Sequence, residues 1–223
     1  MNSYWKNIWL IYKKDIKMEI RSLDNIISTV IFSMILIFII SLSFQFSRIN
    51  NSIYPGLIWV ILYFAASFSM IQVFSREQNN KVMDGLILAV RDKSCIFLAK
   101  TLVNLTFLLF IELIVIPLFF IMTDYKGQVS YILFIYTLIM GSLGLSLIST
   151  FLNTIIIQLK GTKLLLPVLL FPLSVPLLIT VIECSKGALM SSYSLSCVWI
   201  YFLIIYNLVF LVLSLILFDF LLE

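Results

Sequence analysis

The sequence predicts an all-α polytopic membrane protein with six transmembrane helices, an N-terminal amphipathic interfacial helix and a short cytoplasmic coupling helix. Composition is the first reason, because 62% of the 223 residues are hydrophobic and only 12% are charged, whereas soluble domains are about 45–50% apolar and about 25% charged. The pattern is the second reason, since the apolar runs are continuous and reach the roughly 20 residues with which a helix crosses the hydrocarbon core. These runs lack the alternating polarity of a transmembrane β-barrel.

Residues 1–25 are predicted to form an amphipathic helix on the cytoplasmic face of the membrane. Apolar residues at intervals of three or four share one face of this helix: Trp5, Ile8, Trp9, Tyr12, Ile16, Ile20 and Leu23. Five basic residues fall mostly on the other face: Lys6, Lys13, Lys14, Lys17 and Arg21. This pattern is typical of a helix that lies among lipid headgroups. Two interpretations stay open, a plain membrane anchor and a helix that also braces a cytoplasmic partner.

Residues 26–223 are predicted to form one six-helix transmembrane domain. The spans cover roughly residues 26–47, 54–74, 100–123, 129–158, 164–183 and 198–220. With the N-terminus inside, the inner segments hold twelve of the fifteen Lys and Arg residues. The positive-inside rule then predicts a multi-pass protein with both termini in the cytoplasm. The first run starts late and is too long for a cleaved signal sequence, so we expect it to be retained.

The segment between the second and third spans, residues 75–93, is the one sizeable polar stretch of the sequence. Ser75 and Gln78 can form a capping box at the start of a short helix, and Gly85 can end that helix. The apolar run 86–90 that follows is too short to span, so the segment is predicted to lie along the inner membrane face. It is either a solvated connector or a docking surface for a soluble protein.

Several classes of function are excluded by missing residues. With no histidine and three cysteines, the chain has no material for a His-dependent triad, an HExxH zinc site or a multi-cysteine cluster. The Gly-rich phosphate-binding loop is also missing, and residues 160–163, Lys-Gly-Thr-Lys, do not supply it. We therefore expect no catalytic, cofactor-binding or metal-binding residues and no nucleic-acid partner. Any energy would come from a partner or an ion gradient.

Glu112 is the one ionisable residue in the middle of a predicted span. A carboxyl group in that place is costly and marks a functional candidate. Asn104 lies two turns earlier, within about 80° at 100° per residue, so both side chains can face the bundle interior. Two roles are open for Glu112, proton coupling and neutral, hydrogen-bonded packing.

The fourth span carries a stripe of small polar residues. These residues fall within an arc of roughly 60° on the helix: Ser142, Ser146, Ser149 and Asn153. With Gly141 and Gly144 nearby, the stripe favours close approach of another helix and hydrogen bonds between helices. The stripe serves either this packing or a polar path for a substrate.

The fifth span contains Pro167, Pro172 and Pro176. Each proline removes a backbone donor and bends a helix, so this span is predicted to be broken or strongly kinked. Broken membrane helices are tolerated where protein or a cavity covers the freed carbonyls. Pro172 and Pro176 are therefore predicted to form a hinge or a cavity wall.

Two cysteines, Cys184 and Cys197, fall in the predicted last outer loop. That compartment permits a disulfide. Sequence proximity does not establish the geometry that a disulfide requires, so we expect free thiols.

Several segments together resemble a known family. The second span opens with Tyr54-Pro55-Gly56-Leu57-Ile58-Trp59-Val60. The inner segment reads Phe74-Ser75-Arg76-Glu77, then Asp84-Gly85-Leu86, and closes with Ala99-Lys100. The fifth span reads Leu170-Phe171-Pro172-Leu173-Ser174-Val175-Pro176-Leu177-Leu178-Ile179. The combination resembles the cytochrome c maturation protein B family, also called haem exporter protein B, with Lys81 and Val90 where that family often has glycine and proline.

The resemblance implies a permease subunit of an ABC-type complex in the cell inner membrane, with residues 26–223 as the permease domain. Segment 75–93 would couple it to a separate ATPase, cytochrome c maturation protein A. The resemblance and the loop pattern together assign this contact to five residues: Arg76, Glu77, Asp84, Gly85 and Arg91. ATP would be bound by that partner, and the chain itself would not be an enzyme.

The resemblance also implies partners that handle haem, namely membrane protein C and the haem chaperone protein E, together with self-association and the lipid bilayer. ATP hydrolysis would drive either haem export or release of the haem-loaded chaperone. The alternative is a membrane scaffold for a haem-handling complex that does not move.

Overall fold

A computed structural model describes residues 2–21, 23–44, 51–79, 92–125, 127, 129–158, 165–190 and 193–221. These residues form seven helices: α1 Asn2–Arg21, α2 Leu23–Phe44, α3 Tyr54–Asn79, α4 Ser94–Thr123, α5 Tyr131–Gln158, α6 Leu165–Leu189 and α7 Tyr193–Leu221. Six of them, α2 to α7, are long and apolar enough to cross a membrane. The predicted all-α polytopic membrane fold is confirmed.

The spans agree with the predicted runs except at two ends. The third span starts at Ser94 and the fifth ends at Leu189, about one and a half turns beyond the predictions at residues 100 and 183. The reason at the first place is Lys100, whose charge was taken as a boundary but whose side chain is buried inside the bundle.

The bundle is organised around α5, which packs against α3, α4, α6 and α7. Its neighbour α3 is equally enclosed, since 67% of its span is buried, compared with 61% for α5 and 17% for α2 and α7. Lipid-facing helices of a membrane bundle keep exposed apolar surface because acyl chains cover it. The two enclosed helices, α3 and α5, therefore form the core of the molecule.

Gly141 allows α3 and α5 to approach closely. A Cβ on Gly141 would lie 2.1 Å from a ring carbon of Trp59, so the indole rests directly on the α5 backbone. The indole N–H of Trp59 donates a hydrogen bond of 2.8 Å to Ser185 Oγ on α6. One tryptophan thus joins three helices.

Helix α1 packs on α4 at one end of the bundle. Ile8 and Ile11 are buried in a cluster with Ile96 and Phe97 of α4, whereas Trp5 is 64% exposed. The predicted apolar stripe is therefore mostly not the face that contacts the protein. The reason is that α1 has two apolar faces, and periodicity alone does not tell which of them packs.

The opposite end of the bundle is closed by the connection between α4 and α5. The hydroxyl of Tyr125 donates to the Leu189 carbonyl at 2.8 Å, and the backbone N–H of Ser130 donates to the Ala188 carbonyl at 2.8 Å. The rings of Tyr125 and Tyr54 meet edge to face, with centroids 4.9 Å apart. Burial, and then the neighbouring Tyr54, raises the pKa of Tyr125, so the phenol stays protonated as a donor.

Three local expectations were wrong. Helix α3 continues to Asn79, so Ser75 lies inside it and does not cap a separate helix; no glycine or proline occurs in residues 72–79 to stop it. Helix α6 is continuous through Pro172 and Pro176, so the broken form is excluded. Cys184 lies inside α6 as a buried free thiol, and not in an outer loop.

We predict that Gly141→Ala destabilises the bundle, because the new Cβ would displace the Trp59 ring and break its bond to Ser185. Overpacking of this kind costs about 1–3 kcal/mol, which corresponds to a loss of about 2–4 °C in Tm per kcal/mol for a chain of this size. Thermal unfolding in detergent, followed by tryptophan fluorescence, measures the change.

Gly56→Ala is the matched control, since a Cβ there would have no neighbour within 4 Å. A Tm for Gly141→Ala equal to that of Gly56→Ala would contradict the assigned contact.

Candidate functional site in the membrane-spanning bundle

Polar residues of α4 and α5 form two hydrogen bonds between the helices, which we call rungs. The hydroxyl of Ser142 on α5 donates to Glu112 Oε1 on α4. Asn104 Nδ2 donates to Thr150 Oγ1 at 2.6 Å. Asn104 and Glu112 are eight residues apart on α4, and so are their partners on α5, which is about 12 Å along each axis. This equal spacing is expected for antiparallel helices in one constant register.

Both rungs are closed off from solvent. Glu112 is 5% exposed and Asn104 is 7% exposed. A carboxyl group or amide in such surroundings is costly unless it is hydrogen-bonded, and the hydroxyls of α5 supply those bonds. The rungs therefore fix the position of α4 against α5.

The predicted polar stripe of α5 faces the bundle interior. Ser142, Ser146, Ser149 and Asn153 are all buried. Ser146 and Ser149 donate to carbonyls of their own helix, Leu143 at 2.8 Å and Leu145 at 2.6 Å. The stripe therefore lets helices approach closely, and of these three serines only Ser142 donates to another helix in the described part of the chain. A substrate path along the stripe stays a prediction.

Two further polar residues of the site were missed from the sequence. One is Thr150, which a search for partners eight residues from Ser142 would have found. The other is Asn207 on α7, whose Nδ2 donates to the Met140 carbonyl of α5 at 3.0 Å. Gly144 makes room for this contact, because a Cβ there would lie 2.7 Å from Asn207 Oδ1.

Helix α6 carries its two interior prolines on the exposed side of the bundle. Pro176 leaves the carbonyl of Pro172 without its usual donor. The neighbouring carbonyl, Leu173 O, accepts a hydrogen bond of 2.6 Å from the Tyr206 hydroxyl of α7. The hinge or cavity-wall role of Pro172 and Pro176 stays a prediction.

The predicted ATPase-contact residues are only partly within the described chain. Arg76 and Glu77 belong to the last turns of α3, which ends at Asn79. Asp84, Gly85 and Arg91 lie outside the described residues. The role of all five stays a prediction.

Metal-ligating side chains are dispersed over the described part of the chain. No group of three or more His, Cys, Asp or Glu residues comes together there. The polar groups that do converge are hydroxyls, amides and one carboxyl, which hold helices by hydrogen bonds.

Comparison with known proteins places this arrangement in a family. The CcmB protein family matches residues 6–221, which is nearly the whole chain. The chain belongs to the CcmB protein family. Heme exporter protein B of Pseudomonas aeruginosa is similar to this CcmB family member, with 28% identity over 146 residues. That match covers 66% of the chain and 63% of the relative's length.

For this CcmB family member, we predict measurable coupling between Asn104 and Thr150. In a double-mutant cycle with Asn104→Leu and Thr150→Val, the interaction energy should be about 0.6 kcal/mol and at most about 1.7 kcal/mol, the range of hydrogen bonds between membrane helices. Reversible unfolding in bicelles gives the four free energies.

The control cycle pairs Asn104→Leu with Thr137→Val. Thr137 is buried but donates to the Leu133 carbonyl of its own helix at 2.8 Å. These two changes should add within about 0.3–0.5 kcal/mol. Equal coupling in both cycles would show that the Asn104 contact is not specific.

Proposed function

We propose that the chain is a membrane subunit of a haem-export complex and that a separate ATPase drives it. The match of the CcmB family to residues 6–221 carries this proposal, supported by the similarity to a protein named Heme exporter protein B. The complex would lie in the cell inner membrane, with both termini of this chain in the cytoplasm, as the distribution of Lys and Arg favours.

A separate ATPase is proposed because the sequence has no phosphate-binding loop. The polar end of α3 supports a docking site for it. Arg76 and Glu77 follow Tyr54, where α3 begins, by 22 and 23 residues, which is about 33–35 Å of helix, compared with about 30 Å for the hydrocarbon core. Their backbone therefore stands beyond the hydrocarbon core, where a soluble protein can reach it.

Movement is proposed to take place in α6. Its interior prolines weaken the backbone ladder at Pro172 and Pro176, and such positions absorb changes of dihedral angle. Within the described residues, the part beyond them makes polar contacts with Trp59, Tyr125 and the backbone of Ser130. ATP-driven movement of the partner would bias the bundle between two states, one with these contacts made and one with them broken.

The same contacts favour a second candidate, a scaffold that does not move. Three hydrogen bonds within residues 185–189 fix the end of α6 to α3 and to the connection between α4 and α5. In either case the proposed partners are the ATPase, a haem-handling membrane protein and a haem chaperone. ATP is bound by the ATPase and haem by the complex.

Reversal of two charges tests the docking site. We expect Arg76→Glu combined with Glu77→Arg to lower ATPase binding at least tenfold, because like charges brought together cost several kcal/mol and about 1.4 kcal/mol is tenfold in affinity. Co-purification of the ATPase and its ATP turnover are the measurements.

The conservative pair Arg76→Lys with Glu77→Asp keeps both charges and serves as the control. Unchanged co-purification and turnover in the reversed variant would remove this end of α3 from the interface.

Replacement of the prolines separates the moving subunit from the scaffold. Pro172→Ala with Pro176→Ala restores two backbone donors, so the free energy of unfolding should rise by up to about 3 kcal/mol per proline. ATP-dependent release of the haem-loaded chaperone from the reconstituted complex should fall, because the hinge is stiffer.

Pro167→Ala is the matched control. Pro167 is the third residue of α6, in the first turn, where no intrahelical donor is needed. Normal chaperone release by the double variant would support the scaffold. Loss of release in the Pro167 variant as well would mean that the effect is not that of a hinge.

A further inference from the structure

Helix α1 has three distinct faces, and the structure shows what covers only one of them. The first face is covered by the bundle and comprises Tyr4, Ile8, Ile11 and Asp15. At 100° per residue, an apolar face is centred roughly 110° away from it: Trp5, Trp9, Tyr12, Ile16 and Ile20. A cationic face follows roughly 95° further around: Lys6, Lys13, Lys17 and Arg21.

The first face fixes the rotation of α1. Ile8 and Ile11 are 4% and 6% exposed in the cluster with α4. Cys95 Sγ lies 3.8 Å from the carbonyl of Tyr4, near the N-terminal end of α1. Burial raises the pKa of Tyr4, in agreement with this packing. The other two faces are therefore held outward and cannot exchange places with the buried one.

The apolar face is exposed along the helix. Trp5, Trp9 and Ile20 are 64%, 63% and 62% exposed. The rings of Trp9 and Tyr12 stack with centroids 5.4 Å apart, which makes a continuous aromatic surface. Tryptophan and tyrosine favour the membrane–water interface, because their rings have an apolar body and a polar edge.

The cationic face carries charge that the described part of the protein does not neutralise. Lys14 pairs with Asp15 at 3.2 Å. Among the described residues, no carboxylate comes within ion-pair distance of Lys6, Lys13, Lys17 or Arg21. All four side chains are exposed. The aromatic face matches the polarity of the boundary between acyl chains and headgroups, and the cationic face matches the charge of the lipid phosphates beside it.

We propose that α1 is a binding surface for anionic phospholipids. The aromatic face enters the boundary between acyl chains and headgroups, and the cationic face contacts lipid phosphates at the same level. The bundle contact through Ile8 and Ile11 ties this surface to the start of α4. Anionic lipid therefore holds one end of α4, whatever the complex transports.

The test uses the full-length protein in neutral detergent micelles, titrated with phosphatidylglycerol or with phosphatidylcholine. The thermal unfolding midpoint should rise more with phosphatidylglycerol, and the difference should shrink at high salt. In the variant with Lys6, Lys13, Lys17 and Arg21 all changed to Gln, the preference should be lost, since each cation contributes about fivefold in affinity near an anionic surface.

A charge-conserving variant is the matched control: Lys6→Arg, Lys13→Arg, Lys17→Arg and Arg21→Lys. It should keep the preference for phosphatidylglycerol, and it keeps the test decisive if the glutamine variant does not fold. An equal midpoint with both lipids for the wild-type protein would overturn the proposal. So would a glutamine variant that keeps the lipid preference but loses the ATPase on co-purification, because the surface would then bind protein.

Discussion

The close packing of α3, α4, α6 and α7 around α5 is the constraint on which the rest of the structure depends. Lipid offers no hydrogen bonds, so a buried polar group in the bundle is costly unless it finds a partner inside the protein. Small residues on α5 bring the other helices near enough to provide these partners: Gly141 admits the Trp59 ring and Gly144 admits Asn207. A larger side chain at either position would push a helix outward and separate donors from acceptors.

The helices around α5 are held by contacts of different kinds. The rungs from Glu112 and Asn104 fix α4 to α5, and Trp59 fixes α3 to the same helix. Helix α6 packs on α3, α5 and α7, and it also takes part in hydrogen bonds at Leu173, Ser185, Ala188 and Leu189. Movement of α6, as proposed above, would therefore depend on the two prolines that weaken its own backbone ladder, and not on loose packing against its neighbours.

Sequence reasoning predicted the spans well, because length and hydropathy measure what the hydrocarbon core demands. It also placed Glu112 and the α5 stripe in the interior. It missed the partner Thr150, although the eight-residue spacing on both helices contained that information. The rotation of α1 could not be obtained in this way, because both of its apolar faces satisfy helical periodicity and the packed one includes Asp15. The prolines of α6 predicted a break, but the helix continues through both of them, and the Tyr206 hydroxyl of α7 supports the neighbouring Leu173 carbonyl.

In the proposed mechanism, α6 would move against α3, α4 and α5 when the partner hydrolyses ATP. The distance between spin labels at Met190 and Tyr131 measures this movement most directly. Met190 directly follows α6, Tyr131 is the first residue of α5, and both are exposed. The native cysteines are replaced by serine. A reference pair at Val60 and Ile139 reports on the core. In the reconstituted complex, the account predicts that the first distance distribution changes between the resting and the ATP-trapped state while the reference stays the same. Identical distributions for Met190 and Tyr131 in both states, in a complex that hydrolyses ATP, would contradict it.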